Sequence, residues 1–218
     1  LIVLNGYLSG VLAATCDAIS GTTKTITASC SDLVIDGNGS SVTINSGVTI
    51  EALASGLSGA NVAVSFDSAT NTTFTNSGTI TAEDWAVDSE GSSTITTFTN
   101  SGTITATDDG GVVNEGTSTI TTLTNSGTIQ ATGDDYGLIN EDSATITPLT
   151  NSGTISAQDD GGLGNEGSAT ITTLNNSGTI SAGDDYGMWN DDTATITTLT
   201  NTGTISAAGN DIGIWNAA

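Results

Sequence analysis

The chain is poor in almost everything that supports chemistry. Its 218 residues contain one basic side chain, Lys24, and no histidine, against 24 acidic residues, for a formal net charge of −23. Such a charge repels nucleic acid and anionic membranes. The lack of Arg, Lys and His argues against catalysis. Enzymes that cleave acidic polysaccharides usually need those groups to hold the sugar or to take a proton, and one lysine cannot fill the role. No apolar run is long enough to span a bilayer. No apolar stripe recurs at i, i+3, i+4, i+7, which removes helical repeats. Neither the EF-hand loop nor the Gly-Gly-x-Gly-x-Asp nonapeptide occurs. Only two cysteines are present, Cys16 and Cys30. A disulfide between them would imply an oxidising compartment and constrain the N-terminal end of the chain.

What the chain does have is a repeat. The string Asn-Ser/Thr-Gly-Thr-Ile begins at Asn76, Asn100, Asn125, Asn151, Asn176 and Asn201, at spacings of 24, 25, 26, 25 and 25 residues. A fixed period of this length predicts a solenoid. Within each copy the pattern has period two, as in Thr119-Ile120-Thr121, with Ile inward between outward polar residues. Gly and Asn punctuate short strands. The expected fold is all-β, a parallel β-helix of about 25 residues per coil in which each coil pairs with those above and below. Length variation falls between the anchor Ile and the acidic segment that follows it, where a turn absorbs it.

Four inward apolar columns follow from stacking the copies: those of Ile146, Leu149, Ile155 and Leu163 and their equivalents. Two asparagine columns, through Asn125 and Asn140, are expected to be structural. Asn tolerates a left-handed corner, and its amide can bond to the Asn of the next coil. Gly at 78, 102, 127, 153, 178 and 203 reads as turn punctuation of the same kind. The organisation expected is an N-terminal strand and disulfide-tied cap over 1–30, irregular early coils over 31–69, and a regular array over 70–218. The apolar segment Leu1–Ala14 reads as an ordered strand in preference to a signal-peptide remnant.

Thr-Asn-Ser-Gly-Thr-Ile strings on a Thr/Gly/Asn-rich chain poor in Lys and Arg resemble the passenger regions of bacterial autotransporters and related surface adhesins, over residues 70–218 and more weakly over 31–69. The resemblance implies a secreted, right-handed β-helix outside a bacterial cell, serving as a stalk or as an adhesin for a surface or carbohydrate ligand. It speaks to architecture more than to activity.

One feature is a candidate site. Acidic pairs recur at one corner of successive coils, Asp108-Asp109, Asp134-Asp135, Asp159-Asp160 and Asp184-Asp185. Rungs about 4.8 Å apart set each pair against like charges, and Ca²⁺ is the natural ligand for such a row. A second acidic row runs through Glu115, Glu141-Asp142, Glu166 and Asp191-Asp192. Solvated turns are the plain alternative. Outward Thr-x-Thr rows such as Thr119-Ile120-Thr121 raise ice binding as a different class of function, although Thr also simply suits an exposed strand. The expectation for assembly is end-to-end stacking of copies into a fibre, with Leu1, Ile2, Val3 and Leu4 of one subunit docking on Ile214 and Trp215 of the next.

Overall fold

The computed structural model describes residues 14–52, 61–208 and 211–217. These form a three-sided parallel β-solenoid. Three sheets, of nine, ten and eight strands, run along the axis, and the chain visits them in rotation. One rung is made by Val87–Glu90 in the first sheet, Thr94–Asn100 in the second and Thr103–Ala106 in the third. No helix among the described residues is long and apolar enough to cross a membrane.

Register is set by identity. Ile104 stands beside Ile129, Leu123 beside Leu149, Ile146 beside Ile171, and Val112 beside Leu138. All four predicted columns point inward, and their members at Ile95 to Ile171, Phe74 to Leu174 and Ile80 to Ile180 have no solvent exposure. A slip of one residue would turn every such column outward, which is why the period-two pattern specifies the pairing so strongly. Near the start of the array the columns carry aromatic bulk: Phe66 meets Phe74 edge-on with centroids 5.3 Å apart, and Phe74 meets Phe98 at 5.1 Å.

The disulfide joins Cys16 to Cys30. Within this tied segment, Ile19–Ser20, Thr23–Ile26 and Cys30–Ser31 each pair with the strand above, so it contributes to all three sheets.

Both asparagine columns are hydrogen-bonded ladders. Asn125 donates from Nδ2 to Asn151 Oδ1 at 2.8 Å and to the Thr154 carbonyl at 3.0 Å, while its own Oδ1 accepts from Asn100 at 2.8 Å. The second ladder runs from Asn114 through Asn140, Asn165 and Asn190 to Asn216 at 2.7–2.8 Å. Such buried amides are tolerable because each rung satisfies the next. The second ladder starts imperfectly. Beside Asn114 stands Ser89, and both Asn114 Oδ1 and Ser89 Oγ are buried without a hydrogen-bond partner.

Two expectations about backbone conformation are corrected. The ladder asparagines are not left-handed. They end extended strands and point inward, and the left-handed corner falls instead to Gly91, Gly116, Asp142, Gly167 and Asp192, the residues that follow Glu90, Glu115, Glu141, Glu166 and Asp191. The anchor glycines do not serve a left-handed turn either. A Cβ on Gly127 would collide with the Gly102 carbonyl of the preceding rung, and one on Gly153 with that of Gly127. This position is glycine because successive backbones touch there.

Candidate functional site: the outer face of the first sheet

The turns that enter and leave the first sheet carry the two acidic rows. The pairs at Asp108-Asp109, Asp134-Asp135, Asp159-Asp160 and Asp184-Asp185 lie between third-sheet strands such as Thr128–Ala131 and first-sheet strands such as Leu138–Asn140. Glu115, Glu141 and Glu166 follow the first-sheet strands directly. Both rows therefore edge one face, a relation that the linear sequence does not display.

Stacking has the electrostatic cost expected of it. Burial pushes the Asp109, Asp135 and Asp160 carboxyls above the ordinary carboxylate range. Neighbouring carboxylates add to this at Asp109 and Asp160, whereas at Asp135 the Tyr136 backbone N–H, 2.7 Å from Oδ1, partly offsets it. In the second row, burial first and the charges of Glu166 and Glu115 next raise Glu141 to about 7. Glu115 and Glu166 are raised by the same causes, and the Trp189 indole is the one group that favours the charged form of Glu166. That contact is not a well-formed hydrogen bond, since Trp189 Nε1 is buried without a partner by distance and angle.

Asp88 projects from the sheet itself, and burial together with Glu115 and Glu90 lifts it to about 7. Among the described residues, Asp88, Glu90 and Glu115 are the three carboxylates whose oxygens lie within 4.8 Å of one another. The predicted pairs from Asp108 to Asp185 form a longer and looser line. No basic side chain lies along either row to balance them, because the one lysine, Lys24, pairs with Asp17 at 3.8 Å on the disulfide-tied rung. What this face can do chemically is hold protons or take up cations.

Aromatic rings occupy the same face. The residue after each acidic pair is Trp85, Gly110, Tyr136, Gly161 and Tyr186 in turn, so rings and glycines alternate rung by rung. A Cβ on Gly110 would strike the Trp85 ring, and one on Gly161 would come within 2.5 Å of the Tyr136 ring. Each of these rings thus lies over the glycine of the next rung. Tyr186 instead meets Trp189 at 4.5 Å and Trp215 at 5.8 Å, and those two indoles stack at 5.6 Å with an angle of 11°. Burial and the surrounding carboxylates push the Tyr136 phenol upward, which keeps it protonated.

Of the predicted assembly residues, Ile214 is 43% exposed on the last described rung. Trp215 faces outward onto Trp189. Leu1, Ile2, Val3 and Leu4 lie outside the described residues. Two hollows, of about 290 and 220 Å³, have no carboxylate of either acidic row in their lining, one beside the disulfide and one between Asn190 and Asn216. Comparison of the chain with protein-family models, with curated proteins and with solved structures gave no match.

Proposed function

We propose that the chain is a non-enzymatic, extracellular structural protein of a bacterial surface, a solenoid rod that stacks end to end as a filament subunit or adhesive stalk. The observation that carries this reading is the likeness of successive rungs: Ile104 stands beside Ile129, Leu123 beside Leu149 and Asn125 beside Asn151, and Leu199 and Ile214 continue such columns into the last described rung. A rung that pairs in register with a near-copy of itself can pair in the same way with a rung of a second chain. A disulfide suits an oxidising exterior. Acidic segments that recur in successive rungs suit a scaffold, whereas an active site is normally singular.

The test is light scattering and negative-stain microscopy across a concentration series. Rods that lengthen with concentration, and that stay single when Leu199 and Ile214 are both replaced by Glu, support stacking. A chain that remains monomeric at high concentration removes it.

Calcium belongs to the same reading as the ion that offsets the acidic rows. Its measurement is the melting temperature with millimolar Ca²⁺ against chelator at matched ionic strength, and an absent shift leaves the rows as solvated turns.

Ice binding is favoured by one observation, the registered threonines. Thr94, Thr119, Thr145, Thr170 and Thr195 stand side by side along the second sheet. Thermal hysteresis of the purified chain decides it.

A further inference from the structure

The alternation of rings and glycines along the first sheet, from Trp85 to Tyr186, has a period of two rungs; packing explains the glycine beside Trp85 and the one beside Tyr136, but the rings themselves have no outward counterpart on the other two sheets. The interior columns and the asparagine ladders repeat every rung. The outer faces of the other two sheets carry mainly Thr and Ser, with single exceptions such as Gln130 and Asn175 and no outward ring on a strand, so bare strands are sufficient there. On the first sheet, by contrast, Trp85, Tyr136 and Tyr186 stand as half-buried stations. The first two lean on the glycine of the next rung, and the third is held by Trp189 and Trp215. Carboxylates line both sides of the row.

With rungs about 4.8 Å apart, the stations are spaced at about 9.6 Å. A helical ligand repeats its side chains at about 5.4 Å per turn, and a β-strand repeats same-side residues at about 6.8 Å. A polyproline-II segment turns once in three residues, which is about 9.3 Å, and it docks readily on aromatic surfaces because its backbone is already ordered. A cation above an aromatic ring is attracted by the ring's quadrupole, and flanking carboxylates add to that attraction. We propose that this ledge binds an extended, polyproline-II segment of a partner protein that carries Lys or Arg at every third residue, one cationic side chain per ring. The ligand chemistry follows from charge and spacing together: the carboxylates reject anionic polymers, and the two-rung period selects the three-residue repeat. This site lies on the flank of the rod, so a single unassembled chain suffices to show it.

The experiment is a fluorescence-anisotropy titration, at near-physiological salt, of a labelled peptide of four Arg-Pro-Pro triplets. The comparison peptide has the same composition with its arginines clustered at one end. The spaced peptide is expected to bind several-fold more tightly. Tyr136→Gly combined with Tyr186→Gly, which places at both stations the residue that Gly110 and Gly161 already supply, is expected to weaken binding about tenfold. The double Phe variant at the same positions should retain it and shows that the loss belongs to the rings. Melting curves confirm that each variant is folded. Equal binding of the two peptides, or unchanged binding by the Gly variant, would mean undirected attraction to an acidic surface and would overturn the proposal. So would tighter binding of a neutral oligosaccharide than of the spaced peptide, or no peptide binding at all.

Discussion

The outer faces of the second and third sheets present mainly threonine and serine in register, rung upon rung, while the first presents carboxylates, rings and glycine around the same interior. On the third sheet Thr79, Thr103, Thr128, Thr154, Thr179 and Thr204 form an unbroken row. Neutral β-branched residues of this kind stabilise an exposed strand at no electrostatic cost. The first sheet has given up that advantage, since Asp88 and Glu141 are raised to about 7 by burial first and by nearby carboxylates next, Glu115 among them in both cases. The interior makes this tolerable, because apolar columns in all three sheets and ladders at the ends of the first- and second-sheet strands hold the first sheet in register whatever its outer face carries.

The largest expected effect comes from breaking the common interior. Ile146→Asp puts an unpaired charge into a column with no solvent exposure and should cost more than about 4 kcal/mol, enough to unfold the adjoining rungs. Thr121→Asp, on the exposed surface of the same sheet, should stay within about 1 kcal/mol in a thermal melt. Similar damage from both would contradict the assignment of inside and outside.

Next is the ladder. Asn125→Leu keeps the volume but leaves one Asn100 side-chain N–H and the Asn151 Oδ1 without their partners, for a loss of roughly 2–4 kcal/mol by denaturant unfolding. The complementary change, Ser89→Asn, should gain about 1 kcal/mol by giving Asn114 Oδ1 the donor it lacks. A loss in place of that gain would mean that the site of Ser89, between Phe66 and Asn114, is too narrow for an amide.

A comparably small effect is expected on the acidic face. Asp88→Asn removes a carboxylate that burial and Glu115 disfavour, so it should stabilise the chain above pH 7 by about 1 kcal/mol after allowance for solvent screening. Near pH 4 the same substitution should be almost neutral, because the carboxyl is then protonated in the folded state.

Much of this was legible in the sequence for a physical reason: stacked rungs must match, so the 24- to 26-residue spacing names the columns, the ladders and the parallel pairing at once. Three things were not. The role of the anchor glycines depends on how closely Gly127 approaches Gly102, and a turn glycine looks the same in sequence as one wedged between backbones. That both acidic rows edge one sheet depends on which strands share a face, and short Thr-Ile strings do not distinguish the sheets. The ring and glycine alternation spans two copies, so laying single copies over one another averages Trp85, Gly110, Tyr136, Gly161 and Tyr186 into an irregular position. The residue following each acidic pair was the available signal.

The contrast between a shared interior and one opposed face is tested most directly by the thermal midpoint of the intact chain between pH 8 and pH 5. Well below the ordinary carboxylate range the folded and unfolded chains are both protonated, and well above pH 7 both are ionised. Between about pH 4 and pH 7 the folded state keeps protons at Asp88 and Glu141 that the unfolded chain has released, so stability falls as pH rises through that window. The midpoint should therefore climb by several degrees on acidification from pH 8 to pH 5. A midpoint that is flat or falls over that range would contradict the account.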